Sequence, residues 1–379
     1  MFELEALQAQ HGDCLLLHYG TAAKPQVIVI DGGPPPVYDK ALRPALQKLK
    51  DDRGGTLKLP MVMVSHLDDD HIGGITKLSA ELCDQLDNQQ EQSWKIDTIW
   101  TNTFADLVKD QPVLGSSLDA AAVSASVGES LPGGDLEWSG AVVANVGQGR
   151  QLRDQAKRLG KVNAPFDGLV ISRQKAIDMK DGLSFVVVGP NESELAKLQK
   201  EWNKQIKRLK NKKKAPADVA AYIDESAYNL SSVVVIAKSG GKTMLLTGDA
   251  RGDYILQSLE DVGAVKKGKT LQVDILKMPH HGSDRNVDTD FFERIVADHY
   301  VFSGNGKFDN PEPECVRMLI DARGNDAYTM HLTYDPDNFV PGYPKAKLTK
   351  LKKLLKPGPG QKFKVETASA GKSIRIALS

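Results

Sequence analysis

The sequence predicts a layered α/β fold, and three observations carry that expectation. Short apolar runs rich in β-branched residues alternate with stretches of helical spacing. Several runs stop abruptly at polar residues, among them Asp31, His66, Asp249 and His280. The histidines are also unevenly spread: of eight, four fall in two tight groups, each directly after an apolar run.

The elements read in order as follows. CLLLHYG (14–20) and QVIVIDGG (26–33) are strands, the second closed by Gly32-Gly33-Pro34-Pro35-Pro36. ALRPALQKLK (41–50) has helical spacing. LPMVMVSH (59–66) is a buried strand breaking at His66, residues 71–86 run from a loop into a helix, and 95–102 form a strand. From 105 the character changes. Residues 111–150 are rich in Gly, Ser and Ala, while LSFVVVGPN (183–191) is a clear strand. In 191–214, Leu195, Leu198, Trp202, Ile206 and Leu209 line one helix face amid nine basic and three acidic residues. The chain reads as a single domain over 1–379, with 105–228 partly an inserted, basic helical region. The core resumes with a hairpin (229–249), a helix (251–263), a strand ending in two histidines (270–283), a helix (288–298) and a strand (299–304). A helix near 312–322 and a final strand pair at 362–378 complete it.

Composition bounds the function. Among 379 residues, 49 Lys+Arg balance 49 Asp+Glu, which excludes a uniformly basic nucleic-acid coat but allows a local patch. The hydrophobic and charged fractions, 41% and 26%, are those of a globular chain. Cys14, Cys83 and Cys315 are scattered, with no disulfide framework or CxxC site, which points to reduced thiols and a cytoplasmic setting. The opening MFELEALQAQHGD lacks the basic-then-apolar pattern of a signal peptide. The longest apolar runs, such as 232–237, fall far short of the roughly 20 residues that span a bilayer. No membrane association is expected.

The chemistry concentrates in two motifs. SHLDDDHIGG (65–74) packs His66, Asp68, Asp69, Asp70 and His71 into six residues. Adjacent carboxylates repel unless positive charge sits among them, and imidazole with carboxylate is a ligand set for Zn, Mn or Fe. His66 and Asp68 would face one ion, Asp70 and His71 another. The plain alternative is a solvated acidic loop capping a helix. The second motif, PHHG (279–282), again follows a strand, and TGD places Asp249 at a third strand end. Three strand ends carrying ligand-type residues in one α/β chain favour a metal site. Neither Gly147-Gln-Gly149 nor Gly240-Gly241 has the context of a phosphate loop or dinucleotide fingerprint, and no GxSxG elbow is present. Trp94, Trp100, Trp138 and Trp202 do not cluster, so they form no stacking platform for bases.

On these motifs the chain resembles the metallo-β-lactamase fold superfamily, and most of all the hydrolase domain of ComEC-type DNA-uptake proteins with their soluble stand-alone relatives. HGDCLLLHYG (11–20), VIVIDGG (27–33), SHLDDDHIGG (65–74), NLSSVVVIAKSGGKTMLLTGD (229–249), ILKMPHHGS (275–283) and FSGNGKFDNPEPE (302–314) are similar to that family's motifs, in order. The resemblance spans about 4 to 320, excluding the middle. It implies an αββα metallo-β-lactamase-like sandwich with a helical insertion, and a hydrolase using a water activated by two divalent ions, Zn or Mn. The oxygen-rich set tilts toward Mn.

The resemblance implies one site from His66, Asp68, Asp249 and an amide such as Asn229, the other from Asp70, His71, Asp249 and one of His280 or His281, with Asp249 bridging. Asp70, His280 and His281 would be catalytic. Asp31 would hydrogen-bond the motif loop from behind, and Asn310 and Ser283 would meet substrate. Two departures stand out: no histidine lies between His71 and His280, and Asn310-Pro311 stands where the family has His-Pro. The implied substrate is a phosphodiester, either nucleic acid or a small molecule; a regulatory module with a vestigial metal site is the alternative of another class. The basic stretch 191–214 is a solvated face or a guide for a phosphate backbone.

Overall fold

A computed structural model of the chain describes residues 1–102, 148–149, 151–197, 200 and 231–378. In chain order the strands are β1 (Phe2–Ala6), β2 (Leu15–Gly20), β3 (Pro25–Ile30), β4 (Leu57–Leu59), β5 (Val62–Met63), β6 (Trp94–Ile96), β7 (Thr98–Trp100) and β8 (Lys161–Val162). The second half adds β9 (Ile177–Asp178), β10 (Ser184–Gly189), β11 (Val234–Ser239), β12 (Lys242–Leu246), β13 (Leu271–Lys277), β14 (Ile295–Phe302), β15 (Thr329–Leu332), β16 (Lys364–Thr367) and β17 (Ile374–Ala377). The main helices are α1 (Arg43–Arg53), α2 (Asp69–Asp87), α3 (Gly252–Asp261), α4 (Thr289–Arg294), α5 (Pro313–Arg323) and α6 (Lys345–Leu354).

Two mixed sheets form. One has the order β17-β1-β2-β3-β5-β7-β8, the other β16-β15-β14-β13-β12-β11-β10-β9. Side chains alternate faces along a strand, so a sheet covered on both sides needs apolar residues at every position. Leu15 and Leu17 of β2 join Leu4, Ile28 and Trp100 against Phe185, Val235, Leu246 and Ile275 of the other sheet. Leu16 between them turns outward, with Val27 and Val29, toward Leu46, Ile72, Ile75 and Leu78 of α1 and α2. The second sheet does the same: Val186, Ile236 and Leu276 face away from the first sheet, against Leu256, Leu259, Phe291 and Leu319 of α3, α4 and α5. Three apolar layers between four structural layers give an αββα sandwich, as the sequence implied.

Several elements differ from expectation. β1 and β15 lie where no strand was expected, and α6 lies where loops were. α2 starts at Asp69, so Asp70 and His71 are in its first turn rather than in a preceding loop. Residues 362–378 are not a paired hairpin: β16 pairs with β15 and β17 with β1, in different sheets. Ile374 and Ile376 bury against the inter-sheet core, which draws β17 to the first sheet. Within 105–228, β8, β9 and β10 belong to the two sheets. Residues 103–147, 150, 198–199 and 201–230, which take in Trp138, Trp202, Asn229 and most of the basic stretch 191–214, lie outside the described residues.

The topology fixes where chemistry can occur. β3, β5 and β7 run parallel, as do β12, β13, β14 and β15. Their C-terminal ends therefore share one edge of each sheet. The two edges meet there, with the Val233 amide donating to the Ser65 carbonyl at 2.8 Å.

Candidate metal centre

Each histidine of the two motifs sits on a segment that leaves the C-terminal end of a strand. β5 ends two residues before Ser65 and His66; β13 ends two residues before Pro279, and His280 and His281 follow in left-handed backbone, φ 47° and 55°. Residues other than glycine avoid that region, so this strain is held by the surroundings and is of the kind found at functional sites. Asp31, at the end of β3, has φ 58°.

The four imidazoles share one pattern. Each has its Nδ1 occupied: His66 by Ser65 Oγ at 3.1 Å, His71 by Asp31 Oδ2 at 2.9 Å, His280 by Asn286 Oδ1 at 2.8 Å and His281 by Ser303 Oγ at 3.1 Å. Each then turns Nε2 toward Asp249, at 3.8, 3.3, 3.7 and 3.5 Å respectively. A partner at one ring nitrogen fixes the tautomer and aims the other, as in metal sites. The carboxylates complete the cluster. Asp68 Oδ2 is 3.4 Å from His66 Nε2, and Asp70 Oδ2 is 3.5 Å from His281 Nε2. Ligand atoms held about 2.0–2.1 Å from a tetrahedral zinc lie about 3.4 Å apart, which is the spacing seen here. His280 and His281 both reach Asp249, on different sides: His281 is buried beside His71 and near Asp70, whereas the His280 side chain is 34% exposed.

Two atoms show what the cluster lacks. His66 Nε2 and Asp249 Oδ1 are buried and make no hydrogen bond. Such atoms carry a full desolvation cost unless a ligand satisfies them. Asp68 occupies the N-cap position of α2, yet its side chain makes no capping bond. That disfavours the capping-loop alternative.

Charge is strongly coupled. Burial opposes ionisation of Asp249, but His71, His281, His280 and His66 around it hold its carboxyl well below the usual range. Burial likewise opposes charge on His71 and His281, yet the surrounding aspartates outweigh it and raise both well above an ordinary imidazole. Asp70 is held low by His71 and His281 against the same burial. The aspartates thus favour the protonated form of His71 and His281.

Sequence reasoning missed Asp13 as a member. Asp13, His71, Asp249 and His281 each place a ligand-type atom within 4.8 Å of the others. Asp13 nonetheless faces the Nδ1 side of both rings, 3.4 Å from His281 and 3.9 Å from His71. Ser303 Oγ and Lys277 Nζ hold it there. The geometry makes it a positioning residue behind His281. Lys277, at the end of β13, is 1% exposed. Gly12 explains the Gly-Asp start of β2: a Cβ there would lie 1.8 Å from the Asp70 carbonyl oxygen.

The other expected residues fall around the cluster. Asp31 accepts from the Ser65 amide and hydroxyl, both at 2.7 Å, and so clamps the motif loop. Asp69 points away, accepting from Gln148 at 2.7 Å. Ser283 Oγ donates to Glu312 at 3.5 Å, and the Asn310 carbonyl closes the 306–310 loop by accepting from the Gly306 amide. His11, not singled out by the sequence, sits half-buried near Asp70, His71 and His281. Burial pushes its pKa down to about 4, against the pull of Asp70.

Fold and geometry together define a buried candidate metal site between the sheets of an αββα sandwich. No family model matches the chain. Human microtubule-associated protein 1A is 35% identical over 121 residues, which are 31% of this chain and 4% of that protein. The chain therefore spans a small fraction of that relative's length. Among solved structures, a candidate metal-dependent hydrolase from Parabacteroides distasonis aligns over 96% of this chain and 93% of its own, at 9% identity and TM-score 0.35. CmlA, a diiron β-hydroxylase from Streptomyces venezuelae, aligns over 99% of this chain and 54% of its own, at 10% identity and TM-score 0.40. The fold stands on strand order and core packing rather than on these likenesses. No helix among the described residues is long and apolar enough to cross a membrane.

Proposed function

We propose that the chain is a hydrolase with two divalent metal ions, Zn or Mn, acting on phosphodiester bonds of nucleic acid or of a smaller molecule. One observation carries the metal part: four Nε2 atoms converge on Asp249, and two buried atoms there lack partners. His66, Asp68, His280 and Asp249 would hold one ion, and Asp70, His71, His281 and Asp249 the other.

When bound, the ions would supply Lewis acidity and a water of lowered pKa. The protein's own groups set the rest. Asp70, kept ionised by His71 and His281, accepts a hydrogen bond from the attacking water and orients it. Asp31 and Asp13 hold His71 and His281 so that neither ring turns away. The phosphodiester part rests on the family resemblance of the motifs, with a cytoplasmic setting expected from the cysteines.

The test loads the chain with Mn or Zn, counts bound metal, and offers labelled single-stranded DNA beside a generic phosphodiester reporter, with Asp70→Ala as control. DNA cleavage lost in the variant supports a nuclease. Reporter turnover alone supports a small-molecule phosphodiesterase. Fewer than one metal per chain, or no turnover of either substrate, refutes the proposal.

A further inference from the structure

Large apolar side chains are buried almost everywhere in this fold, and among the described residues Met1, Leu86 and Phe308 are the exposed exceptions. Phe308 is 62% exposed and has φ 59°, followed by Asp309 at φ 67°. Two consecutive non-glycine residues in left-handed backbone are costly, and they hold an aromatic ring out into water.

The loop is braced in that shape. The Val340 amide donates to the Asn305 carbonyl at 2.9 Å, the Gly306 amide to the Asn310 carbonyl at 3.1 Å, and Lys347 pairs with Asp309 at 2.8 Å. The loop also adjoins the metal cluster. It leaves β14 through Ser303, which touches His281 and Asp13, and Gly304, where an added Cβ would lie 3.6 Å from the His281 Cβ. Across the opening, the His11 ring meets Phe308 edge to face with centroids 5.4 Å apart, and Lys307 Nζ lies 4.8 Å from the Phe308 ring centre.

An exposed aromatic face, a lysine ammonium and a half-buried imidazole thus line one side of a site proposed to act on phosphodiesters. Aromatic side chains bind nucleobases by stacking, and a nearby lysine adds attraction for phosphate. We infer that Phe308, Lys307 and His11 form a base-binding wall, so that the substrate is a nucleotide phosphodiester with a base beside the scissile phosphate. This inference deepens the hydrolase proposal and rests on it for the phosphate's position.

The test measures equilibrium binding of a phosphorothioate-linked thymidine dinucleotide, which hydrolyses slowly, and of its abasic analogue. Both are offered to the Mn-loaded wild-type chain and to Phe308→Ala, Phe308→Trp and Lys307→Gln. The expected result is at least fivefold tighter binding of the dinucleotide than of the abasic ligand. Phe308→Ala should bring that ratio to near one, while Phe308→Trp preserves it. Lys307→Gln should weaken both ligands and lower their salt dependence. Equal binding of the two ligands by the wild-type chain, a ratio unchanged in Phe308→Ala, or no binding of either overturns the inference. Base-dependent binding without turnover supports the wall and refutes the hydrolase; turnover with no base preference does the reverse.

Discussion

Replacing Asp13 by alanine tests how the two halves of the sandwich are held at the site. Asp13 comes from the first sheet and Lys277 from the second, and both are 1% exposed. Lys277 pulls the Asp13 carboxyl well below the usual range despite complete burial. The pair's contribution is therefore fully present above the unfolded carboxylate pKa of about 3.9, and pH 7 lies in that window. Removing one member of a buried pair strands the other charge, at a cost of about 3–5 kcal/mol. Replacing both by apolar groups costs far less. Urea unfolding of chelator-treated protein should show Asp13→Ala and Lys277→Met each losing that order of stability. The double variant should lose less than their sum, with a coupling of at least ~2 kcal/mol. Because Asp13 also steadies His281, metal affinity in Asp13→Ala should fall by about 10- to 100-fold. A coupling below ~0.5 kcal/mol, or an unchanged metal affinity, would refute the reasoning.

Other outcomes follow from the same geometry. Asp249→Ala should bind less than one metal per chain, and added Zn should no longer raise its thermal midpoint, because ligand binding to the native state is what shifts that midpoint; a wild-type shift would remove Asp249 as the shared ligand. His331, whose pKa burial pushes down to about 4, is neutral in the fold and protonated when unfolded below about pH 6.5. Stability should thus fall as pH drops from 6.5 toward 4, by up to about 1.4 kcal/mol per unit from this residue, and His331→Gln should flatten that slope. Equal slopes in both proteins would count against it. Gly12→Ala forces its Cβ onto the Asp70 carbonyl oxygen, so it should disrupt the start of α2 and abolish metal binding while leaving far-ultraviolet helix content close to wild type. Normal metal uptake in that variant would contradict the packing described.

The site was legible wherever a ligand-type residue interrupted an apolar run. His66, Asp70, His71, Asp249, His280 and His281 all broke such runs, and the fold brings them together. Whether His280 or His281 faces the centre was not legible, since adjacent residues on a strand exit usually point apart. Only the paired left-handed φ values turn both inward. Asp13 was hidden because its role depends on Lys277, far away in sequence, and on the meeting of two sheets. Short strands such as β1 and β15 carry few residues each, so their apolar pattern is weak until a neighbouring strand supplies the other half. The region between β7 and β11 stayed weakest for composition reasons: Gly, Ser and Ala give little periodicity to read.

The pairing of β1 with β17 has a consequence for biosynthesis. β17 is the latest of the described strands, so the edge of β1 stays uncovered until nearly all of this sequence has been made. Until then β1 presents an unsatisfied ladder to other nascent chains. The register Glu3↔Ala377 to Ala6↔Ile374 then covers it. Glu3 and Glu5, which receive Arg375 once β17 docks, give that waiting edge a negative charge of its own. Such charge discourages premature edge-to-edge association during the interval.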